Sequence, residues 1–289
     1  MNTTKVEVSK IITNAVKSSG LNNFHSLDLP DEPMWNLPMI GFASGSDELF
    51  RFYKEHIGDF YWSPSEAFSL KYHDDTVTDE DLTVISFGFA QTAETKMVQK
   101  QAEGMPSLRW IVTRGEWEPF IYDVCERVLK ELEKKGIRAV AIDLLPEWSR
   151  MTSEKLGIAS KWSHRHTAYA AGLGTFGLSD GLITRQGKAM RFCTIIIEGR
   201  LPADQRTYQS HYEWCKFYAD GTCGACIQRC PVNAITKEGH DKDVCSAFLQ
   251  KLKNEIGPDI LTKSSYISGC GLCQSRVPCQ DKVPVRVKE

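Results

Sequence analysis

Cys223, Cys226 and Cys230 stand in the run CGACIQRCP. A second group, Cys270, Cys273 and Cys279, follows in GCGLCQSRVPCQ, with Cys245 between the two. The spacing Cys-x2-Cys-x3-Cys-Pro is the tail of the C-x2-C-x2-C-x3-C-P run whose thiolates hold iron–sulfur clusters, the last of them ligating the other of two clusters. Two such groups in one segment point to electrons entering and leaving through buried iron–sulfur centres. A cubane cluster takes four thiolates, and Cys230, Cys245, Cys270 and Cys273 can supply one full set. Cys223, Cys226 and Cys279 supply three of a second. The leading position of the run, three residues before Cys223, is Asp220, and the nearest upstream thiol is Cys215. The second cluster therefore has an aspartate ligand, or Cys215 looped in, or three protein ligands as in a [3Fe-4S] centre. Structural zinc is the competing reading, since two Cys-x2-Cys pairs can hold one Zn²⁺. The number of thiols, the Cys-Pro after an x3 gap and the PVNAI that follows favour iron–sulfur.

Composition agrees. The chain has 289 residues and ten cysteines, eight of them from Cys215 onward. Secreted disulfide scaffolds are usually far shorter. No apolar run reaches the length of a membrane-spanning helix, and MNTTKVEVSKIITNAV has neither a signal-peptide core nor twin arginines. The expectation is a cytoplasmic chain with no membrane contact, in which thiolates serve as metal ligands. The net charge of −2 argues against a large nucleic-acid surface, so nucleic acid is not an expected partner.

The elements that must position these cysteines follow from periodicity. Val8, Ile11, Ile12, Ala15 and Val16 give a helical period over 4–20. Residues 22–45 read as a loop, and Ser46 and Asp47 as caps of a helix reaching Ile57. TVISFGF (83–89) reads as a buried strand. Ile121, Val124, Cys125, Val128, Leu129 and Leu132 line an amphipathic helix over 119–135 stopped by Gly136, and 137–144 is a second buried strand. Residues 164–171 look helical. Leu182–Thr184 and Phe192–Ile197 read as a hairpin around Gly187. From about 206 the character changes to Cys, Gly and charge, which places a boundary between domains 1–205 and 206–289. Cys125 on a helix core face and Cys193 in a strand are most simply small buried hydrophobes.

Three segments in order resemble the epoxyqueuosine reductase family. Ala170–Gly177 (AAGLGTFG) with Gly181–Thr184 is similar to its AGLGxxGxxxxLI motif. Cys223–Ile235 matches its first cluster run, and Asp243–Leu249 followed by Gly269–Gln274 resembles its CISYL and GCDxCQ segments. The resemblance spans about residues 110–280. It implies an α/β (α+β) N-terminal domain holding base-off cobalamin, as in the related reductive dehalogenases, beside a C-terminal ferredoxin-like domain with two [4Fe-4S] clusters. It also implies corrinoid contacts from Ser163, His164, Gly172, Gly174, Thr175, Gly177 and the backbone near Ser246.

Three departures matter. Trp117, in TRGEWEP, occupies the place of the family's catalytic aspartate, which leaves the flanking Glu116 and Glu118 as candidate proton donors. The first cluster run lacks its leading Cys. The sequence ends ten residues after Cys279, where tRNA-acting members continue, so a small-molecule substrate is expected rather than tRNA. Read from the residues alone, Gly172, Gly174 and Gly177 permit close backbone approach to a ligand or form a helix C-cap. His164 and His166, two apart, do not share a helical face, and pocket lining or a helix start suits them better than metal ligation. Trp110, Trp117, Trp148 and Trp162 read as core or pocket walls.

The expected function is an iron–sulfur reductase. Electrons pass from a low-potential donor such as ferredoxin or flavodoxin through both clusters to a corrinoid that reduces a small molecule. The competing reading is an electron-transfer or corrinoid-reducing protein without substrate chemistry of its own.

Overall fold

The computed structural model describes residues 3–257, 260, 264 and 268–286. Its first helix, α1 (Lys5–Ser18), begins where Thr4 and Glu7 form a reciprocal capping box and buries Val8, Ile12, Ala15 and Val16. Strand β1 (Met39–Ser44) follows, inside the stretch expected to be loop. Helix α2 (Glu48–Ile57) is capped by the Asp47 carboxylate, which accepts from the Leu49 amide, and α3 (Pro64–Tyr72) by Ser63. Strand β2 (Leu82–Ala90) is buried at every position, Thr83 and Ser86 included. Three helices come next: α4 (Ala93–Gln101), α5 (Leu108–Gly115) and α6 (Trp117–Glu133).

Strand β3 is short, Ala139–Ala141, and the chain then turns through a 3-10 helix, Ile142–Leu144; the expected strand over 137–144 thus ends early. A small pair, β4 (Arg150–Ser153) and β5 (Gly157–Ser160), precedes α7 (His164–Ala170), β6 (Gly174–Phe176), β7 (Leu182–Thr184) and β8 (Met190–Glu198). The expected hairpin does not form. β7 pairs with β6, because the turn at Thr184–Gly187 closes on itself and the chain then leaves for the central sheet.

That sheet has the order β1-β2-β8-β3, every neighbour antiparallel. Side chains alternate across it. Ile85, Phe87, Phe89, Cys193, Ile195 and Ile197 pack with α1 and α6. Val84, Val140 and Ile196 pack with α2, α3 and Trp162 on the other face. Each large side chain so buried contributes about 1.5–3 kcal/mol. β3 reaches only as far as Ala141 opposite Ile195. The edge of β8 at Cys193 and Thr194 therefore has no strand beside it, and the 3-10 turn and the start of α7 gather there.

The mixed α/β class expected from sequence is what the chain adopts. The cysteine-bearing segment carries α8 (Lys216–Asp220), α9 (Ala225–Arg229), β9 (Ile235–Thr236), β10 (Gly239–His240), α10 (Lys242–Glu255) and a 3-10 turn, Leu272–Gln274. It rests on residues 174–190: Thr175 accepts from the Trp214 amide at 2.9 Å, and the Lys188 amide donates to Cys279 O at 2.8 Å. Among the described residues no helix is long and apolar enough to cross a membrane.

Candidate iron–sulfur centres and the sheet-edge cluster

Cys215 caps the start of α8, Cys223 lies in the loop before α9, and Cys226 sits on α9. These three line one small cavity together with Cys279, under Leu178, Ile183, Phe217, Val277 and Pro278. Four thiols from four places in the sequence thus face one space. Asp220 is not among the lining residues. Its carboxylate accepts from Lys216 Nζ at 2.6 Å and from the Thr222 amide and hydroxyl, and this hydrogen bonding holds its pKa down near 2. Asp220 caps a turn, and the structure brings Cys215 to the place it was expected to contest.

Cys230 is the C-terminal cap of α9 and faces the second group. Burial pushes the Cys245 thiol up to about 11, with Cys273 and Cys230 adding to the effect. Burial pushes Cys270 up to about 12, with the neighbouring Cys273, Cys245 and Cys230 adding to the effect. Thiols this reluctant to ionise become thiolates at neutral pH when a cation joins them, so metal binding here releases protons. The Ala234 amide already donates to Cys230 Sγ at 3.2 Å. Gln99, buried in α4, donates to Cys270 O at 2.8 Å. Arg229 ties α9 to Ser275 O and Ala102 O.

The sulfur spacing bears on which metal fits. Tetrahedral zinc at a Zn–S distance near 2.3 Å brings its sulfurs to roughly 3.8 Å from one another. Among the described residues, the group of three or more metal-ligating side chains whose donor atoms all lie within 4.8 Å is Cys125, Asp143 and Cys193, which includes none of the eight cysteines from Cys215 onward.

Lys188 was not singled out by sequence, where it is one lysine in a turn. It is 3% exposed, and its ammonium donates to Ser179 Oγ at 2.9 Å. Burial works against its charge, but Cys279, Cys273, Cys226 and Cys215 outweigh that and raise its pKa. It is a fixed positive charge beside thiols of both groups.

The residues expected around a corrinoid have other occupations. His164 Nδ1 is 2.9 Å from Thr194 Oγ1, and its Nε2 is 3.4 Å from Asp143. Ser163 Oγ meets His166 Nδ1 at 2.7 Å. Gly172 ends α7 in the left-handed region at φ +78, the helix-cap role, and a Cβ at Gly174 would meet Ile183 O at 2.2 Å. A Cβ at Gly177 would meet the Ile183 side chain at 3.2 Å. These glycines make room for the protein's own chain. Thr175 is fully buried against Trp214, and Ser246 lies beside Cys245 on α10.

The proton-donor expectation also shifts. Trp117 is core, edge-on to Trp35, Phe89 and Phe120. Glu116 stands at the N-cap of α6 without a side-chain cap bond, and Glu118 is exposed in its first turn, where the helix dipole favours a solvated carboxylate. A carboxylate held inside the fold beside these elements is Asp143, its side chain 13% exposed. It accepts from Cys193 Sγ at 3.0 Å, and Cys193 Sγ lies 3.4 Å from Cys125 Sγ. These two cysteines are fully buried, as expected, and also lie against each other and an acid. The sequence signal was one aspartate closing the apolar run before Leu144.

Comparisons with known proteins support two [4Fe-4S] clusters in the cysteine-rich segment. Residues 221–279 match the family described as a 4Fe-4S double cluster binding domain. Cys215 lies outside the matched span. An epoxyqueuosine reductase of Leadbetterella byssophila is 30% identical over 156 residues, covering 53% of this chain and 43% of that protein. One from Lactococcus garvieae is 25% identical over 203 residues, covering 68% and 51%. The match thus spans about half the length of these relatives. The solved epoxyqueuosine reductase of Streptococcus thermophilus shares the fold at a TM-score of 0.50 and 17% identity, covering 100% of this chain and 69% of that one. By sequence and by fold, the chain resembles epoxyqueuosine reductases and carries the cysteine pattern of a double-cluster iron–sulfur protein.

Proposed function

We propose that this chain is an iron–sulfur oxidoreductase that moves single electrons through two cubane clusters. Cys215, Cys223, Cys226 and Cys279 hold the outer cluster, and Cys230, Cys245, Cys270 and Cys273 the inner one. The observation that carries this reading is the cavity lined by four thiols, Cys215 among them. It completes a set that the sequence run leaves one short. A low-potential donor such as ferredoxin or flavodoxin feeds the outer cluster, whose Cys223 is partly exposed. Lys188 stabilises the reduced, more negative clusters. The test is a reductive titration of anaerobically prepared protein followed by electron paramagnetic resonance. Two cubane signals are expected; a single signal, or none, overturns the reading.

The resemblance also implies a corrinoid. Two of the side chains expected to contact it, His164 and Ser163, pair with Thr194 and His166, which supports electron transfer to a separate acceptor. Calorimetric titration with cobalamin decides this point: saturable micromolar binding would restore the corrinoid. On substrate, the net charge supports a small molecule, whereas the relatives are named for epoxyqueuosine. A turnover assay offering an epoxyqueuosine-bearing stem loop beside small-molecule acceptors settles which is reduced.

A further inference from the structure

The open edge of β8 gathers donor side chains from four elements. Cys125 comes from α6, Cys193 from β8, Asp143 from the 3-10 turn after β3, and His164 from the first turn of α7. Both cysteines are fully buried. Cys193 Sγ lies 3.4 Å from Cys125 Sγ and 3.0 Å from Asp143 Oδ2, and His164 Nε2 lies 3.4 Å from that same oxygen. The donor atoms of Cys125, Asp143 and Cys193 all fall within 4.8 Å of one another.

We propose that Cys125, Cys193, Asp143 and His164 form a mononuclear site for a thiophilic divalent cation, of which Zn²⁺ is the representative, separate from the iron–sulfur cysteines. Two sulfurs, one carboxylate oxygen and one imidazole nitrogen make a tetrahedral donor set of the kind zinc takes. The sulfurs need to separate by about 0.4 Å to reach the spacing tetrahedral zinc sets, and His164, which lies outside the 4.8 Å group, draws in to complete the set.

The surroundings fit. Thr194 Oγ1, which also accepts from Trp162 Nε1 at 3.3 Å, is placed to take the His164 Nδ1 proton. With Nδ1 donating there, the Nε2 lone pair is free for the ion, the supporting contact expected of a metal-binding histidine. The ion enters from the side of Asp143 and His164, which are partly exposed, while the sulfurs lie deeper. Binding deprotonates both thiols, and the two protons leave to solvent. The ion then joins α6, α7 and β8 where the sheet lacks a strand.

The test uses the intact, cluster-loaded chain purified anaerobically from zinc-supplemented culture. Elemental analysis should give about one zinc per chain beside the iron, and zinc K-edge absorption should show two sulfurs near 2.3 Å and two N/O donors near 2.0–2.1 Å. Because that spectrum is read on the unaltered protein, it does not depend on a variant folding. Cys193→Ser and Asp143→Asn should each lower zinc content at least tenfold while iron stays constant, and His164→Gln should lower affinity. Zinc below about a tenth per chain, a four-sulfur shell, zinc unchanged in Cys193→Ser, or a Cys125–Cys193 disulfide in the purified chain would each overturn the proposal.

Discussion

Cys226 and Cys230 stand at the two ends of one five-residue helix, α9, and face different thiol groups. Under the proposed assignment this short element supplies ligands to both clusters, as the run's pattern requires.

Cys215 and Asp220 give the first prediction. Cys215→Ala should remove the outer cubane or convert it to a three-iron centre, lowering iron from about 8 to about 4–7 per chain. Asp220→Ala should leave iron content and the resonance signal unchanged, because its carboxylate is bonded to Lys216 and Thr222. The reverse pattern would put the aspartate in the coordination sphere.

Lys188 gives the second. A buried cation near a cluster favours the reduced state, so Lys188→Met should shift a cluster midpoint potential negative by on the order of 50–100 mV. A resonance-monitored redox titration reads this. An unchanged potential would mean that the ammonium is screened from both clusters.

The backbone at Gly271 gives the third. It lies in the left-handed region at φ +61, and a Cβ there would stand 1.9 Å from Trp110 Cζ2. Trp110 itself is fixed by donation to Gly269 O at 3.1 Å. Gly271→Ala should therefore cost at least about 2 kcal/mol and selectively impair loading of the inner cluster, measured by denaturant melts and iron analysis.

His166 sets a pH dependence. Burial holds its pKa down near 3, against an ordinary 6.5. Below pH 6.5 the unfolded chain takes up a proton that the folded ring refuses. The folded state therefore loses stability as pH falls from 6.5 toward 3, by at most about 1.4 kcal/mol per unit, and is unaffected above that window. His166→Asn should flatten this slope in melts at pH 5 to 7; a slope equal to that of the parent chain would place the titration elsewhere.

Much of the frame was legible in the sequence. Helices α1 and α6 announce themselves by period, and β2 and β8 by largely apolar, β-branched and aromatic runs. The two cysteine groups follow from spacing alone. β1 was missed because MIGFAS is six residues inside a Pro- and Asn-rich stretch, and its strand character comes from pairing with β2. β7 was given the wrong partner because the local turn does not reveal where the next strand docks. Lys188 and the contact of Cys125 with Cys193 were invisible for a common reason. Each depends on residues far apart in the chain, 68 positions for the two cysteines, and no local pattern encodes a meeting at a sheet edge.

The central claim is that eight thiols hold two cubanes. Iron and sulfide analysis with Mössbauer spectroscopy of anaerobically prepared protein tests it most directly. The account predicts about 8 Fe and 8 sulfide per chain in two [4Fe-4S] environments. About 4 Fe or fewer in fully loaded protein, or zinc bound to the cysteines from Cys215 onward, would contradict it.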